Sequence, residues 1–435
     1  MATGAVPTAL SVLDRARAGR FAEIREMFVP QLRGLVSAEA LHGAWTAELD
    51  RNGPLRSAGS PVSDPSEVGA AVVKIPLAFE HGELTLIVGV DGQDRLTGLQ
   101  LAPAAAAEPV QPWEPPPYAD PESFDEQDVT VGSGPLAVPG TLTLPRGSAG
   151  PRHSAGPLPL LPAIVLLAGS GPADRDGTMG RNKHLKDLAW GLADRGTAVL
   201  RFDKVTYAHP AEVENEPDFT LTDEYVHHAV AAVQLLRRHP SVDADRVFVL
   251  GHSQGGTVAP RVAAAEAGVA GLVILAGGAQ PLHWAAVRQI RYLGSLNPDQ
   301  AAAARPAVEA FTRLAEAVDS PDLSPSTPRS ELPFGVAAPY WLDLRGYDPV
   351  ATAAASGRPM LILQGGRDYQ ATVADDLALW RAGLAQRPDV TIRVHDADNH
   401  LFFPGAGPSS PAEYEPAQHL DPAVVADIAA WVAAH

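Results

Sequence analysis

The first hundred residues change from a helical to an extended pattern of apolar side chains. Between Val6 and about Asp50, apolar residues recur at the spacing of amphipathic helices, which predicts two or three helices. After the turn-forming Asn52-Gly53-Pro54, three segments rich in aliphatic residues predict strands linked by hairpin turns. These segments are Ala70–Phe79, Leu84–Val90 and Leu96–Leu101. Residues 1–102 are therefore predicted to form a small α+β domain.

A second pattern begins after residues 103–122, which are rich in Ala, Pro and Glu and predict an extended linker. From about Ser123 onward, a predicted hairpin is followed by apolar segments that alternate with longer amphipathic ones, as in parallel βα units. The predicted buried strands are Ala163–Ala168, Ala198–Phe202, Val247–Leu250, Leu272–Leu275, Met360–Leu363 and Val390–Val394. Residues 123–435 are thus predicted to form a second domain, with an insertion at about 281–349 that interrupts the alternation.

Composition and charge narrow the range of partners. A chain of 435 residues with 46% hydrophobic residues can bury two cores. Its net charge of −18 repels phosphate backbones and anionic lipid headgroups, so neither nucleic acid nor a membrane is an expected partner. No lysine-bearing, glycine-rich phosphate loop appears, and Asp174 with Asp176 lacks a full ligand set. We therefore predict neither a cofactor nor a metal.

The absence of cysteine excludes disulfides and thiolate catalysis. Met1 to Arg20 lack the pattern of a signal peptide, and no stretch is apolar over the length of a membrane-spanning helix. These features predict a cytoplasmic protein. The abundance of Ala, Arg, Pro and Gly is typical of a GC-rich bacterial genome.

The strongest chemical signal is a predicted strand, Val247–Leu250, that runs through Gly251-His252-Ser253-Gln254-Gly255-Gly256 into a predicted helix. A sharp turn between strand and helix requires small residues at both glycine positions and raises the serine hydroxyl into a cleft. The free N–H groups of the helix N-terminus then favour developing negative charge. This pattern predicts Ser253 as a nucleophile and the Gln254 backbone N–H as one oxyanion donor.

A serine hydroxyl needs a base at neutral pH, and histidine has the suitable pKa. In the chain order of this strand-turn-helix arrangement, the histidine follows the last strand and precedes the final helix. His400 occupies that position among fourteen histidines. His395 is expected to be a surface residue, and His252 is expected to shape the elbow, because the base must approach the serine from across the cleft.

The acid that orients the histidine is expected at the end of the preceding strand. Asp368 ends the segment Pro359–Asp368, in which Gly365 and Gly366 permit a tight exit from the strand. Its alternative role is to cap a helix that begins near Thr372. Asp396 and Asp398 share a loop with His400, and so short a connection disfavours them as the orienting acid.

These three motifs, in this order and spacing, resemble those of α/β-hydrolases. The resemblance implies a mostly parallel eight-stranded sheet flanked by helices, a Ser-Asp-His triad and a cap inserted after the sixth strand. The segment Leu167–Asp176 is more narrowly similar to a loop of bacterial esterases related to dienelactone hydrolases and acyl peptidases. By that resemblance, Ser170 supplies the second oxyanion N–H, although Ala168 replaces the histidine common in the wider superfamily. Asp203 and Lys204 are expected to brace this loop.

The first functional hypothesis is hydrolysis of carboxylic esters of a small molecule through an acyl-enzyme on Ser253. A second hypothesis keeps the triad but changes the reaction to that of a peptidase, thioesterase, lactonase, acyltransferase or cyclase. A third is a non-catalytic protein that binds a small ligand. The N-terminal domain could cover the cleft, mediate homodimerisation or add stability.

Overall fold

The structure is a computed structural model, and it describes residues 4–33, 36–65, 71–103, 113–146, 160–296 and 298–435. The chain forms two compact units. The smaller unit comprises Met1–Gln111 and Pro328–Val336, and the larger comprises Pro112–Thr327 and Ala337–His435. Residues 104–112 of the predicted linker lie outside the described residues.

The smaller unit packs helices on an antiparallel sheet. Its helices are α1 (Ala5–Arg17), α2 (Phe21–Met27), α3 (Pro30–Arg33) and α4 (Ala38–Asn52). Its strands are β1 (Leu55–Ala58), β2 (Val62–Pro65), β3 (Ala71–Phe79), β4 (Glu83–Val90) and β5 (Leu96–Pro103). The order is β1-β3-β4-β5, with β2 also paired to β3. β1 and β2 were not predicted, because such short edge segments have no hydrophobic alternation to reveal them.

The larger unit is built around an eight-stranded sheet. Its strands are β6 (Phe124–Val131), β7 (Val138–Pro145), β8 (Leu161–Leu167), β11 (Ala198–Phe202), β12 (Val242–His252), β13 (Leu272–Leu275), β14 (Met360–Gly365) and β15 (Val390–His395). The order is β15-β14-β13-β12-β8-β11-β7-β6. The β6–β7 and β7–β11 pairs are antiparallel and the others are parallel. A separate small hairpin joins β9 (Thr178–Met179) and β10 (Asn182–Lys183).

Helices connect the parallel strands. They are α5 (His184–Ala193), α6 (Val205–Ala208), α7 (Pro210–Glu214), α8 (His227–Arg237), α9 (Gln254–Ala265), α10 (Leu282–Ser295), α11 (Pro298–Asp319), α12 (Ala338–Arg345), α13 (Pro349–Ala355), α14 (Ala378–Gly383) and α15 (Pro422–Ala434). The π-helical turns Thr222–Val226 and Val373–Leu377 lead into α8 and α14. α10, α11 and α12 follow β13, the sixth strand along the chain in the eight-stranded sheet, where the predicted cap is inserted.

The central strands are buried on both faces, which explains their nearly continuous apolar sequences. Every residue of β13 and β14 is buried, as are Val247–Leu250 of β12. Because β8, β11, β12, β14 and β15 run parallel, their carboxyl ends meet along one edge of the sheet. Loops that carry function gather at this edge in open α/β sheets.

In the described part of the chain, no helix has the length and apolar character needed to cross a membrane.

Candidate active site

Ser253 stands at the strained turn between β12 and α9. Its backbone has φ of 55° and ψ of −122°, a conformation that costs a non-glycine residue free energy. A Cβ added to Gly251 would lie 2.1 Å from the carbonyl oxygen of Gly255. A Cβ on Gly255 would lie 2.5 Å from the carbonyl oxygen of Leu167. Both glycines are therefore required by close backbone approach, as the sequence pattern predicts.

The structure brings His400 and Asp368 together from separate loops at the same sheet edge. His400 Nδ1 lies 2.7 Å from Asp368 Oδ2, and both side chains are buried. The Asp368 carboxylate also accepts hydrogen bonds from the Gln364 side chain and from the backbone N–H groups of Gln370 and Ala371. These bonds hold the acid in one orientation, and the pairing leaves Nε2 of His400 available for a hydroxyl.

The loop that carries His400 is itself anchored by Asn399. Its side-chain oxygen accepts from the N–H groups of Leu401 and Phe403, and its amide donates to Glu413. A Cβ on Gly365 would lie 2.5 Å from the Asn399 carbonyl oxygen, so the loop passes directly over the end of β14. Asn399 and Glu413 were not predicted from the sequence, because the two residues meet only in the folded loop.

The other two histidines considered do not contact the Asp368 carboxylate in the way that His400 does. His252 Nε2 is 2.8 Å from the backbone carbonyl oxygen of His400, and its ring centroid lies 4.9 Å from those of His184 and His400. Burial, with smaller contributions from these two histidines, lowers the pKa of His252 well below its usual value. His252 is therefore a neutral donor that supports the loop. His395, which was expected at the surface, is instead mostly buried, with a side chain that is 11% exposed and faces Asp427 at 3.3 Å.

The loop after β8 lies beside Ser253. A Cβ on Gly169 would come within 3.2 Å of the Ser253 Cβ, and Ser170 follows it at the exposed surface. The expectation that Asp203 and Lys204 brace this loop is confirmed. Asp203 accepts hydrogen bonds from the backbone and side chain of Arg175, and the Lys204 ammonium donates to two carbonyl oxygens of the loop.

Three buried residues near this loop were missed by the sequence analysis, namely Glu224, Tyr225 and Tyr340. Glu224 and Tyr225 belong to the π-helical turn before α8, and Tyr340 belongs to α12. π-Helical turns often occur at functional sites, but no local sequence pattern predicts them.

A carboxyl pair joins Asp398 of the histidine loop to the half-buried Asp421. Asp398 is fully buried, and its oxygens have no hydrogen-bond donor among the described residues. Burial, together with Asp421, raises the pKa of Asp398 from 3.8 to about 7. Asp398, Asp421 and His395 each bring one potential metal-ligand atom within 4.8 Å of the others. Asp398 and Asp421 form a carboxyl pair that can share one proton, and we assign no cation to this cluster.

A cavity of about 490 Å³ opens beside Asp368. Its walls include Arg288 and Tyr292 of α10 and the facing Tyr369, whose ring stacks on that of Tyr292 at 5.0 Å. Ser253 is not among the residues that line it. This cavity therefore lies beside Asp368, and we do not assign it as the binding site of the substrate's acyl group.

The chain belongs to the α/β-hydrolases, in the family of the serine aminopeptidase S33, whose family model matches residues 177–402. It is 36% identical over 361 residues to "Esterase EstD" of Thermotoga maritima, an alignment that covers 83% of this chain and 79% of that protein.

Two solved structures also resemble the chain. Est1E from Butyrivibrio proteoclasticus aligns with a TM-score of 0.45 and 16% identity, over 71% of this chain and 99% of that one. The acylaminoacyl peptidase of Pyrococcus horikoshii aligns with a TM-score of 0.44 and 13% identity, over 81% and 53% of the two chains.

Proposed function

We propose that this protein hydrolyses carboxylic esters of small molecules through an acyl-enzyme on Ser253. The observation that carries the proposal is the 2.7 Å contact between His400 Nδ1 and Asp368 Oδ2. It supports a base whose tautomer is set by the acid and whose other nitrogen can receive the serine proton. The 36% identity to an esterase supports the ester as substrate.

In the proposed acylation step, Ser253 Oγ attacks the acyl carbon while His400 Nε2 takes the hydroxyl proton. The carbonyl oxygen becomes an oxyanion that accepts hydrogen bonds from the backbone N–H groups of Gln254 and Ser170. Asp368 stabilises the imidazolium. When the ester bond breaks, the alcohol leaves with the proton from His400. Water, deprotonated by the same imidazole, then releases the acid and restores Ser253.

Amide hydrolysis is the second candidate, because the matching family is described as a serine aminopeptidase. An aminopeptidase requires a negative group for the substrate's terminal ammonium. Glu224, which is buried near the oxyanion loop, is already paired with Lys204 at 2.7 Å. Glu224 is therefore not free for this role.

A fluorophosphonate probe tests for the activated serine, with Ser253→Ala as the matched variant. We expect stoichiometric labelling of the wild type and none of Ser253→Ala, which removes one oxygen and should remain folded. The labelled enzyme is then compared on p-nitrophenyl esters, acyl-CoA thioesters and aminoacyl p-nitroanilides. Labelling of Ser253→Ala would refute the assignment of Ser253 as the nucleophile. Faster turnover of anilides than of esters would favour the peptidase, and no labelling of folded wild type would favour a binding protein.

A further inference from the structure

The carbonyl oxygen of Gly169 accepts hydrogen bonds from two buried side chains. Lys204 Nζ lies 2.9 Å from it, and the Tyr225 hydroxyl lies 2.7 Å from it. Lys204 also donates to the Gly171 carbonyl at 2.8 Å. The Gly169 carbonyl and the Ser170 N–H belong to a single peptide group. The two side chains therefore bind the opposite end of the peptide that carries the proposed second oxyanion donor.

The same side chains reach the residue that carries the first donor. Gln254 Nε2 donates to the Tyr340 hydroxyl at 2.9 Å, and Gln254 Oε1 lies 3.3 Å from the Tyr225 hydroxyl. Tyr340 donates to Glu224 Oε2 at 2.6 Å, and Lys204 Nζ lies 2.7 Å from Glu224 Oε1. Lys204 Nζ also donates to the Tyr225 hydroxyl at 2.8 Å, so the contacts among the five side chains close into a ring, and each residue is at most 6% exposed.

The positive charge of Lys204 in this ring is balanced by the negative charge of Glu224. Burial lowers the pKa of Lys204, whereas Glu224 acts in the opposite direction and favours the ammonium form. Burial, followed by the charge of Glu224, raises the pKa of both Tyr225 and Tyr340 well above the usual value. The tyrosines therefore keep their protons and act as donors. The single proton of Tyr225 goes to Gly169, because that contact is shorter than the one to Gln254.

A peptide whose carbonyl accepts hydrogen bonds is polarised, and its N–H becomes a stronger donor. A buried ammonium has the greatest effect, since the surroundings screen it weakly. Donors held in place before the reaction stabilise the developing oxyanion without reorganisation. In this position Lys204 and Tyr225 would strengthen and orient the Ser170 N–H without touching the substrate.

We propose that Lys204 and Tyr225 are positioning residues that polarise the Gly169–Ser170 peptide as an oxyanion donor. Glu224, Tyr340 and Gln254 hold them in register, so α12 of the insertion takes part in assembling the oxyanion hole. This inference rests on the proposed function, since it requires an oxyanion formed at Ser253.

Tyr225→Phe is the sharpest test, because it deletes one hydroxyl that donates to Gly169 and leaves the ring volume in place. We expect kcat for a p-nitrophenyl ester to fall about tenfold, less than the hundredfold or more typical of deleting a whole donor. KM should change by less than about twofold, since the effect is specific to the transition state. A boronic acid that forms a tetrahedral adduct with Ser253 should bind about tenfold more weakly, because its oxygen occupies the oxyanion position.

The matched control is Lys183→Met, which removes a lysine that pairs with Asp176 and makes no recorded contact with Gly169. Its kcat and boronate inhibition constant should stay within about twofold of wild type. For Lys204, the double variant Lys204→Met/Glu224→Gln removes the ion pair as a unit, which avoids an uncompensated buried charge. We expect it to lose at least as much kcat as Tyr225→Phe.

If Tyr225→Phe keeps the kcat and boronate affinity of wild type, the inference is wrong while the proposed function stands. A lower unfolding midpoint with unchanged kcat of the folded enzyme would identify a merely structural ring and overturn it as well. An equal rise in KM without a change in kcat would assign Tyr225 to substrate binding and would also overturn it. A wild type that neither hydrolyses esters nor reacts with the fluorophosphonate would refute the proposed function itself.

Discussion

His252 Nε2 lies 2.8 Å from the backbone carbonyl oxygen of His400, so the residue before the proposed nucleophile supports the loop of the proposed base. Both residues are buried, and they depend on each other in different ways. His400 acts through its side chain, whereas His252 acts on the backbone of His400. This difference separates their roles experimentally.

We expect His400→Ala to reduce kcat at least about a thousandfold, because general-base catalysis contributes on the order of 10²–10⁴ in rate. His252→Ala should lower kcat by roughly tenfold through a looser loop and should still react with a fluorophosphonate. The rate of labelling and kcat are measured for both. Equal losses of several thousandfold would leave no basis for assigning His400 as the base.

Asp368→Asn keeps the shape of the acid but removes its charge and can favour the wrong imidazole tautomer. The corresponding change in serine proteases reduces kcat by about 10⁴, and we expect a loss of at least roughly a hundredfold here. Asp396→Asn is the matched control, since Asp396 is exposed on the His400 loop. The measurement is kcat for a p-nitrophenyl ester in the two variants. If Asp368→Asn keeps kcat within about tenfold of wild type while an Asn substitution at Asp396 or Asp398 abolishes activity, Asp368 is not the residue that orients His400.

The buried carboxyl group of Asp398 predicts a pH-dependent stability. Its pKa of about 7 in the folded protein exceeds its usual value of 3.8, so the folded state binds the extra proton between those values. The free energy of unfolding should therefore fall as pH rises from about 4 to 7, by at most roughly 1.4 kcal/mol per unit from this group. Above about pH 8 this contribution is constant.

Chemical unfolding of Asp398→Asn at several pH values measures the effect. The variant should lose this part of the pH dependence, and Asp396→Asn should retain it. Asp398→Asn should also be more stable relative to wild type at pH 8 than at pH 5. The opposite pattern, with EDTA destabilising wild type but not the variant, would assign a cation to the cluster instead of a proton.

The elbow should not tolerate a methyl group at Gly251. The added Cβ would lie 2.1 Å from the Gly255 carbonyl oxygen, which is backbone and cannot move aside. We expect Gly251→Ala to reduce the free energy of unfolding by about 3 kcal/mol or more, at the upper end for overpacking. Gly346→Ala is the control, because its Cβ would approach no atom closer than 3.5 Å and its φ is −80°. Equal stabilities of the two variants in chemical denaturation would contradict this account.

Limited proteolysis tests the proposal that residues 1–102 form a separable module. Residues 103–122 have a linker composition, but Trp113 donates to the buried Asp187 at 2.8 Å and packs edge-to-face on Trp190. Cleavage should therefore occur before Trp113. Mass spectrometry of the fragments locates the cut. Preferential cleavage within residues 113–122 would show that these contacts do not protect the segment.

The sequence by itself determined the features that depend on local order. Alternation of buried strands and amphipathic helices indicated parallel βα units, and Gly251, Ser253 and Gly255 indicated the elbow. The pattern is readable because neighbouring residues make the turn. β1 escaped prediction because its pairing with β3 is created by the sheet, and four residues contain no alternation that reveals it.

The tertiary structure decided which distant residues meet. It places Asp368, and neither Asp396 nor Asp398, against His400 Nδ1. It also assembles the ring of Lys204, Glu224, Tyr225, Gln254 and Tyr340 from four separate parts of the chain. No periodicity predicts such a ring, since each member alone is an ordinary polar residue. Burial makes the difference, because polar groups removed from water must find partners wherever the fold brings them.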